Sequence, residues 1–523
     1  MYQFSGKLKT FSLALILLGA LGIAFSFWSV PKSIEEVKEI ISHQSSHDGG
    51  HETSKTSVKK DIHQIEVIEE VQSKEQNVDA HHVNNEVEVD STGVSHVSNG
   101  IKEIHDTIVE NNHEPMHVEE TLHVAEDAHH SDNHDAEHAE HVFHQLKNKP
   151  WSALYVSLFF FLGVTLLVLA FYASQRVAQS AWSVVLFRVM EAITANLVPT
   201  SIIMLIVVLA AAFHINHMFP WMAEGIVDPT SANYDPIIAG KSWWMNVPGW
   251  TIRSIIYLSI WNAYRWFIRR NSIKEDTAND GYKTYKLNYN VSVGFIFLFM
   301  ISESMMSWDW IMGLDPHWFS TLFGWYVLAS LLVSALTVIA FVTIYLRSKD
   351  ALPGVNDSHI HDLAKFMFGF SIFWTYLWFS QFMLIWYADI PEETTYFAMR
   401  FNEYKLPFMA MIVMNFVFPI LLLLNSDFKS IPWFVVLGGI VILLGHYVDV
   451  FIMVMPATVG SQWSFGIAEL SALLFFLGVF IYTVFSAFAK ANPVPKGNPF
   501  LKESEHFHYY NIEHRGEGSG DHH

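Results

Sequence analysis

No cysteine occurs anywhere in the 523-residue chain. That absence excludes disulfides, thiolate iron–sulfur ligation, thioether-linked haem and cysteine-bearing zinc sites. Charge is scarce too: 16% of residues are Asp, Glu, Lys or Arg, against 51% hydrophobic and 15% aromatic. No Walker A motif is present and no GxGxxG precedes a helical pattern, so nucleotide chemistry has no support. Membrane b-type haem usually needs paired axial histidines on facing spans. Of the 28 histidines only His446 lies deep in an apolar run, with His214, His217, His359 and His361 in expected loops. Haem ligation by this chain is thereby disfavoured, and no redox centre of its own is visible.

The averages conceal two unlike parts. Residues 31–150 contain no long apolar run, yet hold 17 of the 28 histidines. They also carry nine Lys and Arg against 26 Asp and Glu, a segment charge of −17 within the chain's −20. The acidity therefore describes one loop and carries no information about nucleic acid, which is not expected as a partner. High charge with few aromatics predicts a largely disordered segment. Its histidine pairs 81–82 and 129–130, and the run His134, His138, His141 and His144, suit zinc, copper or nickel in type. A solvated tether that binds metal weakly and incidentally is the favoured reading, and no metal site is assigned.

A spanning helix needs about 20 mostly apolar residues. Ten segments qualify: 10–30, 151–172, 193–213, 247–267, 290–312, 320–346, 364–388, 406–424, 432–455 and 465–489. The expected fold is an all-α polytopic membrane protein in a lipid bilayer. Its divisions are a first span (1–30), the acidic insert (31–150), a nine-helix core (151–490) and a tail (491–523). The first span also reads as a signal peptide, because Lys7 and Lys9 precede it. Its length exceeds a usual signal core of 7–15 residues, which favours a retained helix. The third span has apolar character from Ala181, but Arg188 and Glu191 argue for an interfacial first turn. Trp28, Trp151, Trp244, Trp318, Trp386 and Trp433 mark span ends as an aromatic belt does. With both termini cytoplasmic, the inner tails and loops hold 18 Lys and Arg, while the short outer loops hold Lys241, Arg400 and Lys405. That bias sets the orientation and puts residues 31–150 outside the cytoplasm.

Against this frame of apolar spans, five ionisable residues stand out: Arg253, Glu303, His446, Asp449 and Glu469. A charge at bilayer depth costs several kcal/mol or so unless paired or hydrated, and all five fall in the outer half. His446 and Asp449, at i and i+3, share a helix face and form a candidate proton relay, since imidazole titrates near neutrality. Glu303 is a second relay or quinol-contact candidate, and Arg253 is expected to pair with it. Asp309 and Glu469 lie near span ends, where a solvated role is expected. Arg188 and Glu191, again i and i+3, sit near the cytoplasmic end before Asn196 and Pro199. They are candidates for proton entry or for plain helix-end anchoring. Each site has a structural alternative in which buried polar groups only lock helices together.

The run from Ser307 through Trp308, Asp309, Trp310, Ile311, Met312, Gly313, Leu314, Asp315, Pro316, His317, Trp318, Phe319 and Ser320 to Trp325 closely resembles the loop between the fifth and sixth helices of the ActF membrane subunits of alternative complex III. These belong to the NrfD/PsrC-like membrane proteins and serve a bacterial quinol:cytochrome c oxidoreductase. The resemblance covers roughly residues 151–490, is specific in this loop and rests elsewhere on the span pattern. It implies two four-helix bundles (spans 2–5 and 6–9) with spans 1 and 10 peripheral, in a bacterial inner membrane with 31–150 periplasmic. It implies an ActC-like membrane subunit, an iron–sulfur subunit and multihaem cytochromes as partners, with a terminal oxidase able to join them. Haem and iron–sulfur centres would sit in those partners. This chain would bind no covalent cofactor, and a quinone or quinol contact is left open because the family's supported site lies in the ActC-type paralogue. Asp315 and His317, flanking Pro316, are then candidates for partner docking, with turn chemistry as the alternative. Two other functions compete: an ion- or metal-coupled transporter, and a purely structural scaffold.

Overall fold

The computed structural model of the protein describes residues 2–39, 123–278 and 282–509, with side chains from residue 139 onward in the second stretch. Residues 40–122, including the 81–82 histidine pair, and the tail beyond 509 lie outside the described residues. The chain divides into two units, Met1–Val30 with His144–His523, and Pro31–Phe143. In the second unit residues 123–143 are helical.

The structure is 79% helical and contains no strand among the described residues. Among the described residues nine helices are long and apolar enough to cross a membrane, and the protein is an all-α polytopic membrane protein. In chain order the long helices are α1 (Gly6–Trp28), α2 (His123–Val177), α3 (Ala181–Ala212), α4 (Val247–Glu275), α5 (Lys283–Trp310), α6 (Phe323–Arg347), α7 (Asp357–Ala388), α8 (Lys405–Leu423), α9 (Pro432–Val459) and α10 (Ile467–Phe488). Each of the ten expected spans is helical. The one outside the nine is α4, whose 29 residues include several cations toward its end. Helix α2 starts at His123, well ahead of the expected boundary at 151.

Local chemistry sets the helix ends. Asn246 caps α4 by accepting from the Gly249 amide at 2.8 Å, with Pro248 in the first turn. Asn356 and His359 cap α7 reciprocally, so His359 belongs to a buried helix start rather than to a loop. Such side chains satisfy amides that no preceding turn can reach. In α3 the helix tightens to 3₁₀ at Thr194–Asn196, immediately before Pro199. Proline has no amide to donate into the preceding turn, which accounts for the interruption.

Chain ends and connections gather on two faces. One, the loop face, carries residues 213–246, 311–322, 389–404 and 460–466. The other, the tail face, carries 348–356, 425–431 and 489–509. Helix α2 is buried at nearly every position from Ser152 to Ala173, as a helix apolar all round must be. Its Tyr155 donates to the Trp310 carbonyl on α5 at 2.8 Å, while Ser157 bonds Tyr447 on α9 at 2.8 Å. Helices α3, α4 and α5 pack beside one another, as do α6, α7, α8 and α9. The outermost pair is α1 against α10. A Cβ at Gly478 would lie 2.8 Å from the Ile16 amide nitrogen, and one at Gly19 would lie 2.5 Å from the Phe475 nitrogen. Small residues let membrane helices approach backbone to backbone, where dispersion supplies the attraction. Gly478→Leu should separate α1 from α10 and lower the thermal midpoint in detergent; an unchanged midpoint would contradict this packing.

Candidate functional site

The deepest polar constellation lies among α6, α7, α8 and α9. His446 is at the midpoint of the 28-residue α9, and Asp449 is one turn nearer the loop face. Both are fully buried. The Asp449 carboxylate accepts from Trp374 Nε1 on α7 at 2.8 Å, from Ser330 Oγ on α6 at 2.7 Å and from the Tyr326 hydroxyl on α6. Three donors suit an acceptor-only carboxylate. His446 Nδ1 stands 3.6 Å from Asp449 Oδ2, beyond a direct hydrogen bond, and 3.0 Å from Ser330 Oγ. The serine hydroxyl therefore bridges ring and carboxylate. Asn415 Nδ2 on α8 approaches the same ring nitrogen at 3.4 Å, and His446 Nε2 is buried with no protein partner.

Asn415 reaches the ring because α8 is wound as a π-helix at Val413–Val417, ahead of Pro419. Such bulges often mark functional positions. Gly445 completes the approach, since a Cβ there would sit 2.0 Å from Asn415 Oδ1. Toward the loop face, Tyr326 lies within electrostatic reach of Tyr396 and Arg400. Arg400 is buried, lies 3.3 Å from the Tyr396 ring centre and donates to the carbonyls of Tyr396 at 2.7 Å and Ile452 at 3.0 Å. A cavity of about 650 Å³ joins Tyr396 and Arg400 to Asp315, His317 and Asp235 on the loop face.

A second constellation corrects the expected Arg253–Glu303 pair. Arg253 binds Asp309 in bidentate fashion, Nε to Oδ2 at 2.8 Å and Nη2 to Oδ1 at 2.7 Å. Tyr257 and the Trp244 indole complete the carboxylate's shell at 2.8 and 3.0 Å. The reason is directional. Helical side chains lean toward the N-terminus of their own helix, so Arg253 on α4 leans to the loop face and Asp309 on α5 leans inward to meet it. Asp309 is thus buried at 3% exposure rather than solvated. Glu303 is 1% exposed, and its Oε1 has no partner. Glu469 is likewise buried, not at the interface; its Oε2 accepts from the Gly466 amide at 2.8 Å and starts α10.

At the tail face Arg188 and Glu191 are both buried, so the expected interfacial turn of α3 lies inside the protein. Arg188 binds Glu191 at 2.8 Å and Asp276 at 2.5 Å, while Glu191 also meets Arg269, Ser272 and Tyr172. Arg176 joins through Glu275 at 3.3 Å. Three arginines face three carboxylates, and Asn288 on α5 donates to Glu275 at 2.8 Å, which ties α2, α3, α4 and α5 together. At the loop face His317 Nε2 lies 2.5 Å from Asp235 Oδ2, and Lys241 donates to the Pro316 carbonyl at 2.7 Å. Burial tends to raise the Asp235 carboxyl, but the amides of Ile238 and Ile237 and the His317 ring outweigh it and hold the group below the usual range. Asp315 and His317 therefore sit in a fastened, partly exposed surface of the 311–322 connection.

Sequence reasoning missed Tyr326, Ser330, Trp374, Asn415, Tyr257 and Arg400. One signal was present: Tyr326, Ser330, Ser334 and Thr337 form a polar stripe at helical spacing within the apolar α6. Among the described residues no group of three or more His, Asp or Glu is placed to hold a metal.

Fold and burial together define a polytopic membrane protein with ionisable groups enclosed in its helical core. No family model matches the chain, and no curated protein matches it.

Arg253→Ala strands the buried Asp309 charge and should cost about 3–5 kcal/mol, whereas Glu303→Leu removes an unsatisfied carboxyl and should leave stability equal or higher. Unfolding of the two variants in detergent checks this ordering; the reverse order would contradict the assigned pairing.

Proposed function

We propose that this chain is the ActF-like membrane subunit of an alternative complex III in a bacterial inner membrane, with both termini cytoplasmic. It supports quinol oxidation coupled to cytochrome c reduction, and electrons travel through haem and iron–sulfur partners. In this reading the chain's own part is proton movement through His446, Ser330, Asp449 and Tyr326, toward the surface that carries Arg400, Asp315 and His317. The single observation that supports it is the hydroxyl bridge: Ser330 contacts both His446 Nδ1 and Asp449 Oδ2. A hydroxyl donates and accepts at once, so a ring N–H proton can pass to Ser330 Oγ as the hydroxyl's own proton passes to the carboxylate, and rotation of the hydroxyl then resets the bridge. The resemblance of residues 307–325 and the ten helices favour the family half of the proposal.

An ion-coupled transporter is the second reading. It is favoured by the interruptions of α3 at Thr194–Asn196 and of α8 at Val413–Val417, since broken helices often line transport sites.

Extraction in mild detergent should bring down multihaem cytochrome and iron–sulfur subunits; a homo-oligomer alone would favour transport. In the assembled complex, Asp449→Asn and His446→Ala should lower proton release per quinol while the subunits remain bound. Unchanged rate and proton stoichiometry would remove the relay.

A further inference from the structure

Between α3 and α4 a groove of about 380 Å³ opens on the outer surface of the helical core. Its deep part is apolar, with Ile202 and Leu205 on α3 facing Ile255 and Leu258 on α4. Toward the tail face the lining turns polar, first at Ser201, Ser259 and Asn262 and then at Arg265. Ser259 and Arg265 are six residues apart, about 9 Å along the helix axis. The apolar stretch of α4 ends here, giving way to Arg265, Arg269, Arg270 and Lys274, so the cationic end of the groove lies at headgroup depth. Apolar wall, then hydroxyls and amide, then cation is the order of parts along a phospholipid: acyl chain, ester carbonyls, phosphate.

The charges narrow the ligand further. Arg176, Arg188, Arg253, Arg269 and Arg347 each pair with a carboxylate. Arg265 does not. Its Nε is buried with no acceptor, and the charged group within electrostatic reach of it is another cation, Arg269. A guanidinium cannot shed its charge, so an anion must come from outside the chain. Arg270 lies over the Trp266 ring at 5.4 Å and adds a second cation at the same end. Among the described residues no Asp or Glu lines the groove, which favours a net-anionic headgroup over a zwitterionic one. Deeper in, Asn262 Nδ2 donates to Ser201 Oγ at 2.8 Å, so that hydroxyl keeps its own proton for an ester carbonyl. Ser259 is exposed and offers a second. A helix from another protein fits less well. Membrane helices dock through small residues that let backbones approach, whereas Ile202, Ile255 and Trp266 stand exposed along the edges here.

We infer that this groove binds one anionic phospholipid of the tail-face leaflet, with its phosphate on Arg265, its ester carbonyls at Ser201 and Ser259, and an acyl chain between Ile202 and Ile255. The lipid then ties α3 to α4 beside the arginine–carboxylate cluster that Arg269 joins through Glu191. The inference is independent of the relay at Asp449 and of the complex assignment.

The full chain, delipidated in detergent, is titrated with dioleoyl phosphatidylglycerol or dioleoyl phosphatidylcholine. Native mass spectrometry counts the bound lipid, and the thermal midpoint is followed in parallel. One phosphatidylglycerol should bind roughly tenfold more tightly than phosphatidylcholine and raise the midpoint, as a ligand of the folded state does. Arg265→Gln should abolish that preference, and Arg265→Lys should restore most of it. Ile202→Trp fills the groove and should weaken phosphatidylglycerol by a similar factor. Leu421→Trp, at an exposed position on α8, should leave binding unchanged. Circular dichroism of each variant must match the parent, so that lost binding is not lost folding. Equal affinity for the two lipids overturns the inference, as does parent-like phosphatidylglycerol binding in both Arg265→Gln and Ile202→Trp. Displacement of the lipid by millimolar inorganic phosphate overturns it too, and assigns Arg265 to a free anion. If Arg265→Gln keeps phosphatidylglycerol but loses a co-purifying membrane protein, the groove is a helix interface and the inference fails.

Discussion

A carboxylate enclosed by apolar helices has no water to solvate it, so the protein must supply every donor. That requirement organises this structure around Asp449. Satisfying it takes a tyrosine and a serine one turn apart on α6 and a tryptophan on α7. It also takes a fixed rotation of α9, because His446 must share the face. Three helices, α6, α7 and α9, are thereby held in one register by a single anion, and Asn415 brings α8 against the His446 ring. Desolvation is severe enough at this depth that leaving one donor out would cost more than most packing contacts return.

The other two polar clusters answer the same constraint differently. Asp309 is matched by a guanidinium that cannot lose its proton, and the Arg188 cluster balances three cations with three anions. Both are closed: charge is neutralised locally and the groups have little freedom to exchange protons. The Asp449 cluster is open. Its imidazole has one nitrogen without a protein partner, and a hydroxyl rather than a charge separates ring from carboxylate. The first two lock helices together, and the proton movement we propose belongs to the third.

The spans were legible because twenty apolar residues in a row have few alternatives, and His446 with Asp449 was legible because i and i+3 share a face on any helix. What was not legible depends on which helices face one another. Nothing in the order of residues places Trp374 and Asn415 beside His446, and the Arg253 partner was misassigned because sequence depth ignores the lean of long side chains. Asp309 and Glu469 were read as solvated from their positions near span ends; packing over the ends buries both. The stripe Tyr326, Ser330, Ser334 and Thr337 was readable as one polar face of α6, though not as Asp449's shell. The acidic insert shows the opposite limit, since its composition speaks to solvation and charge but to no partner.

Infrared difference spectroscopy of the reconstituted protein across a pH step measures carboxyl protonation directly and tests the exchangeable character of the Asp449 cluster. The account predicts a carboxyl band that disappears in Asp449→Asn, shifts in His446→Ala and persists in Arg253→Lys. Identical difference spectra for the parent and Asp449→Asn would contradict it.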